Sequence, residues 1–139
     1  MYYQDKDKDG FGDKETSMAA CSQPEGWVTN SADCNDGNKE VYPGQQAYFE
    51  QGYPKPGAPQ GISFDYDCNG VEDPSPLDTK NPTCPGVVLG CDKSGYAPGN
   101  RTGPGVDPYC GVKTRNSCTV SGLSCNSNIS TVANGFRCR

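Results

Sequence analysis

Asp5, Asp7 and Asp9 alternate with Lys6 and Lys8, Gly10 follows at once, and Asp13 closes the run. Counted from Asp5, acids stand at positions 1, 3, 5 and 9 and glycine at position 6. Few folds accept such a stretch. Alternate side chains turn the same way, so the acids converge while the two lysines point out to water. The glycine allows a sharp bend that carries the carbonyl of Phe11, at position 7, toward the acids. The spacing therefore predicts a loop wrapped round a hard, oxygen-seeking ion such as Ca2+. Asp5, Asp7, Asp9, Asp13 and the Phe11 carbonyl are its candidate ligands. A merely solvated charge run would not keep this period-2 register.

The register returns once. Asp65, Asp67, Asn69, Gly70, the Val71 carbonyl and Asp73 fall at positions 1, 3, 5, 6, 7 and 9 of a second loop. Position 12, where an EF-hand loop carries its closing glutamate, holds Thr16 in the first loop and Pro76 in the second. Neither is a complete EF-hand loop, and no flanking amphipathic helices are evident. Glu15 lies one position early to close the first. Between the loops runs Asp33-Cys34-Asn35-Asp36. Asp33 and Asp36 are read as carboxylates that complete a shell begun elsewhere. The alternative is an Asx-rich turn capping a short helical segment. Two Ca2+ ions are expected.

Little else in the chain can hold a fold together. Only 32% of the 139 residues are hydrophobic, and 18 Gly and 12 Pro interrupt regular structure. Nine Cys take the place of a large core. With no His and no C-x-x-C pair, zinc is a poor explanation for them. The expected fold is a small irregular, loop-rich domain stabilised by Ca2+ and disulfides, with short β-strands and little helix. The disulfide candidates are Cys21, Cys34, Cys68, Cys84, Cys91, Cys110, Cys118, Cys125 and Cys138. Local pairs Cys84–Cys91, Cys110–Cys118 and Cys125–Cys138 are the simplest arrangement. Cys34 then pairs with Cys21 or with Cys68, and one Cys is left over. Disulfides imply an extracellular or cell-surface setting. No signal peptide precedes the acidic loop, so the chain is expected to be a processed or partial product, and no transmembrane segment is present.

Charge divides the chain. Through residue 78 there are fifteen Asp or Glu against five Lys, and beyond it two Asp against seven Lys or Arg. The Pro-rich stretch 74–83 has the composition of a linker. Residues 1–76 are accordingly expected to form an acidic calcium-binding module, and 77–139 a basic, Cys-rich, disulfide-stapled β-rich region. In the latter, Val87–Leu89, Cys118–Val120 and Ser130–Ala133 are candidate strands, and Asn134-Gly135 a tight turn. Tyr2, Tyr3, Phe11 and Trp27 are candidate core anchors. Tyr48, Phe49 and Tyr53, in the Pro/Gly-rich stretch 45–61, either pack back or form a contact surface. The scattered basic residues and scarce aromatics of the second half argue against nucleic acid.

The runs Tyr2-Tyr3-x-Asp5-x-Asp7-x-Asp9-Gly10-Phe11-Gly12-Asp13, Cys21-x-x-Pro24-x-Gly26-Trp27-Val28, Asp33-Cys34-Asn35-Asp36, Val41-Tyr42-Pro43-Gly44 and Asp67-Cys68-Asn69-Gly70 occur in this order. Together they resemble the metal-binding repeat of secreted, MopE-type bacterial surface proteins, common in myxobacterial surface proteins and lipoproteins. The resemblance covers residues 2–73. The first loop is also similar to the calcium loops of thrombospondin type-3 repeats and dockerins. The MopE copper site uses His ligands and an oxidised Trp, and a chain without His does not inherit it. Members of the repeat family often carry another Cys shortly before the Asp-x-Asp-Cys-Asn-Gly run. The Pro/Gly-rich stretch stands there in this chain, which leaves the pairing of Cys68 open. The resemblance implies a bacterial protein and extends only loosely to 84–139, where it implies no activity.

The expected function is a non-catalytic, extracellular, calcium-binding structural or adhesive module of a bacterial surface or secreted protein or assembly, with protein partners or self-assembly. Two alternatives remain: a transition-metal (copper) binding surface protein, and a protein-binding module. No His is available as a general base and no nucleophile motif appears, so an enzyme is not expected.

Overall fold

Where Gly and Pro recur every few residues, strands stay short. The computed structural model describes residues 1–57, 61–80, 94–121 and 124–139. Its elements are β1 (Tyr2–Gln4), β2 (Asp13–Met18), β3 (Trp27–Val28), β4 (Tyr53–Pro54), β5 (Ile62–Ser63), β6 (Ser94–Tyr96), β7 (Thr114–Ser121) and β8 (Ser124–Thr131), and no helix occurs among the described residues. They form three separate antiparallel sheets, ordered β2-β1-β3, β4-β5 and β6-β7-β8. The small, loop-rich, disulfide-stabilised class expected from composition is what the structure shows.

The core is not built on the residues nearest the first loop. Tyr2, Tyr3, Phe11 and Trp27 are only half-buried. The reason is the thinness of their sheet, in which β1 has three residues and β3 two. The buried cluster instead joins Val41, Tyr53, Phe64 and Tyr66 to Tyr96, Tyr109, Cys110, Phe136 and Cys138. Rings supply most of the packing. Phe49 stacks on Tyr66 at 3.8 Å, Tyr53 meets Tyr66 edge-on at 5.0 Å, and Tyr96 meets Phe136 edge-on at 5.3 Å. The Pro/Gly-rich stretch thus packs back on the fold through Phe49 and Tyr53.

Residues on both sides of position 76 share this cluster. Phe49 and Cys138 exchange backbone hydrogen bonds of 2.7 and 2.9 Å, and Asp73 and Arg139 exchange bonds of 2.7 and 3.0 Å. Glu72 is 4% exposed and accepts from the Phe64 and Asp107 N–H groups and from the Arg101 guanidinium. A buried carboxylate so fully engaged is a structural joint.

Cys34 is bonded to Cys68, one of the two pairings left open for Cys34. Cys110 is bonded to Cys138, which corrects the local pairs Cys110–Cys118 and Cys125–Cys138. The backbone explains the correction. Gly111 N–H donates to Phe136 O and Phe136 N–H to Val112 O, laying the two segments side by side, while Cys118 lies opposite Ser127 within the β7–β8 ribbon. Cys118 and Cys125 each take part in a disulfide, and Cys21 is free and exposed. Cys84, Cys91 and the candidate strand Val87–Leu89 lie outside the described residues. Cys118–Val120 falls within β7, whereas β8 ends at Thr131, before Val132 and Ala133.

Candidate metal centre

The first acidic loop is the connection of a β-hairpin. Antiparallel pairing of β1 with β2 fixes its two ends, and Asp5 N–H is held by Gly26 O at 2.9 Å. Within the loop the backbone turns left-handed at Lys8 (φ 66°) and Gly10 (φ 97°), at positions 4 and 6. Gly10 provides the bend without strain. One oxygen of each leading acid tightens the turn: Gly10 N–H donates to Asp5 Oδ2 (3.2 Å), Asp9 N–H to Asp7 Oδ1 (3.2 Å) and Phe11 N–H to Asp9 Oδ1 (2.8 Å).

The segment 33–36 closes over this loop. Asp33 bridges Asp13 through its backbone, and its own Oδ1 accepts from Asn35 N–H at 2.8 Å. Asp36 Oδ1 accepts from Lys6 N–H at 2.7 Å, across thirty residues of sequence. The other oxygen of each acid is buried and has no hydrogen-bond partner: Asp5 Oδ1, Asp7 Oδ2, Asp9 Oδ2, Asp33 Oδ2 and Asp36 Oδ2. Asp5 is 9% exposed and the Asp36 side chain 8%. Carboxylate oxygens of Asp5, Asp7 and Asp36 lie within 4.8 Å of one another, as do those of Asp7, Asp9 and Asp33. Oxygens on opposite sides of a calcium ion are about 4.6–5.2 Å apart, twice the usual bond length.

The electrostatics agree with the geometry. Burial, then the charges of Asp36 and Asp5, raises the Asp7 carboxyl above its ordinary value, and burial followed by the charges of Asp7, Asp5 and Asp36 does the same for Asp9. Asp33 is pushed up to about 6 by burial, with Asp9, Asp7 and Asp36 adding to it. Such a nest of half-solvated like charges costs free energy unless a cation shares it. Oxygen-only donors suit a hard cation. A third acidic grouping, Asp33 with Cys34 and Cys68, offers no thiolates, since the two sulfurs are bonded to each other.

Asp13 does not join the centre. Its oxygens accept from Glu15 N–H and Thr16 Oγ1, both at 2.8 Å, at the start of β2. Phe11 directs its ring onto Tyr42, with centroids 6.1 Å apart.

The second loop repeats the backbone but not the cluster. Cys68 (φ 57°) and Gly70 (φ 88°) are left-handed at the same positions 4 and 6. Both oxygens of Asp65 are taken, by Asn69 and Gly70 N–H. Asn69 Oδ1 accepts from Val71 N–H and its amide donates to Asp73 Oδ2. Burial, then the charge of Asp67, raises the Asp65 carboxyl against the pull of those N–H groups. Asp67 and Asp73 face Arg139, which no local pattern in the sequence pointed to. Among the described residues, no three acids converge here. A cleft of about 370 Å3 lies alongside, lined in part by Glu72 and Arg101, whose charges answer each other.

Comparison with models of known families gives no match, and comparisons with curated proteins and with solved structures give none at a significant level.

Proposed function

We propose that this protein is a non-catalytic, extracellular structural or adhesive module whose fold is completed by calcium at the centre formed by Asp5, Asp7, Asp9, Asp33 and Asp36. The observation that carries the reading is the set of five buried carboxylate oxygens, one from each acid, that accept no hydrogen bond and are drawn from two segments of the chain. Among the described residues, the one charge that answers any of them is the exposed Lys6 ammonium, 3.7 Å from Asp36 Oδ2. Calcium would fill that gap with ligands of its preferred kind, and water or backbone carbonyls would complete six to eight positions. The Cys34–Cys68 bond next to Asp33 supports an oxidising setting, and no helix of the described residues is long and apolar enough to cross a membrane. The resemblance to secreted bacterial metal-binding repeats points the same way.

Calcium in this role joins the first hairpin to the 33–36 segment and stabilises the folded state by mass action. At a free concentration near one hundred times Kd the gain is about 2.7 kcal/mol, or about 10 °C in melting temperature. Differential scanning calorimetry in millimolar calcium and in EDTA measures it. Asp7→Asn, which removes the carboxylate common to both acidic triads, should abolish most of the difference. Identical melting of the wild type in calcium and in fully metal-stripped buffer would falsify the calcium reading.

A further inference from the structure

The geometry points to Arg139 as a built-in cation of the second acidic loop, one that keeps a divalent ion out of a site the loop would otherwise form. The inference rests on the calcium reading of the first loop only for its comparison. The two loops share left-handed residues at positions 4 and 6, so they present the same frame. They differ in what stands opposite their acids. In the first loop the oxygens that lack hydrogen bonds face one another, and its closing acid comes from Asp36. The one cation nearby among the described residues, Lys6 Nζ at 3.7 Å from Asp36 Oδ2, is on a side chain 66% exposed and free to swing into water, whereas that of Arg139 is only 22% exposed. In the second, Arg139 Nε lies 3.4 Å from Asp67 Oδ2 and 3.8 Å from Asp73 Oδ2.

The guanidinium is held there by more than its charge. Arg139 N–H and C=O pair with the Asp73 backbone, Nη1 donates to Gln46 Oε1 at 3.0 Å, and Cζ lies 5.2 Å from the centre of the Tyr48 ring. Cys138, immediately before it, is fully buried and disulfide-bonded. Asn69 completes the contrast, since its amide hydrogens rather than its oxygen are aimed at Asp73. An ion bound to Asp67 Oδ2 would sit within a few ångströms of a fixed positive charge, and like-charge repulsion at that distance opposes the pull of the carboxylate.

The plug is the charge of the guanidinium. Arg139 Nε makes no hydrogen bond, so its hold on the two acids is purely coulombic. Asp67 Oδ1 is buried without a partner in a side chain only 10% exposed. With the guanidinium gone, Asp67 and Asp73 retain the loop frame and gain an unmet charge.

Equilibrium dialysis against radioactive calcium, with folding followed by near-UV circular dichroism, tests this on the full chain. The wild type should keep its full complement of bound ions in Asp67→Asn and lose binding in Asp7→Asn. Arg139→Gln should bind one ion more than the wild type, and that ion should vanish in Arg139→Gln/Asp67→Asn. Arg139→Lys, which keeps the charge, should match the wild type. Loss of an ion from the wild type on Asp67→Asn would overturn the inference, because it means the loop is loaded despite Arg139. A folded Arg139→Gln with no extra ion overturns it too. Where Arg139→Gln fails to fold, the Asp67→Asn comparison can still overturn the inference, and Arg139→Ala/Asp67→Asn against Arg139→Ala repeats the test of the extra ion. A wild type that binds no calcium defeats the reading of the first loop. The plug then stands or falls on whether Arg139→Gln binds.

Discussion

Asp33 shows how a single residue can work against the fold and for the function at once. Its carboxyl is pushed up to about 6 by burial and by Asp9, Asp7 and Asp36, so its ionised form is a burden on the metal-free protein. Asp33→Asn keeps the shape and removes the charge. In EDTA at neutral pH the variant should melt slightly above the wild type, by no more than about 1 kcal/mol after solvent screening. In calcium it should melt below the wild type, with affinity weakened by about tenfold or more as one ligand charge is lost. Titration calorimetry and paired melts read the two signs. A variant less stable in both buffers would mean that Asp33 is only a turn-former. At this scale the sequence was informative where spacing decides direction, as for Asp5, Asp7 and Asp9. Asp13 fits position 9 by count, and both its oxygens accept locally, from Glu15 N–H and Thr16 Oγ1. Neither of those competing donors is visible in a ligand pattern.

The elements that matter are the two loops and the segment between them, and the Cys34–Cys68 bond ties these together. Cys34 follows Asp33 directly, and Cys68 occupies the left-handed position 4 of the second loop. The bond therefore anchors the piece of chain that closes the first centre. Its loss should act twice. Closing a loop with a sequence separation of 34 is worth about 3–4 kcal/mol through the unfolded chain, a cost that the Cys34→Ser/Cys68→Ser variant should show in EDTA. The same variant should also bind calcium more weakly, because Asp33 and Asp36 are no longer held over Asp5–Asp9. Denaturant melts with and without calcium separate the two effects. Unchanged affinity in the folded variant would show that Lys6 N–H to Asp36 and the Asp13–Asp33 bridge suffice to place the segment. The loops were legible because Gly10 and Gly70 mark the same bend in the same register. The short sheets were less so, since two-residue strands such as β3 and β4 leave no period to detect.

Across the whole molecule, cohesion comes from contacts between segments far apart in sequence, and this is where local patterns carry least. Phe136 and Val41 are both fully buried in a cluster that neither neighbourhood announces. One such long-range tie has a clear pH signature. Asp78 accepts from Arg137 N–H at 2.8 Å and from the Arg137 guanidinium at 3.1 Å on each oxygen. Burial alone would raise the Asp78 carboxyl. The hydrogen bonds and charge of Arg137 outweigh it and hold the group below the ordinary carboxylate range. A carboxyl with a lower pKa folded than unfolded adds stability that is complete above about pH 4 and lost as pH falls through the folded value. Asp78→Asn should therefore melt below the wild type at neutral pH, by a free energy on the order of 1 kcal/mol given the partial exposure of Arg137. The gap should close only in the acid limb, below about pH 4. Melting both proteins in EDTA and taking the difference cancels the raised carboxyls of the loops, which titrate in both. A gap that stays constant down to the acid limit would assign the contact to packing rather than to charge.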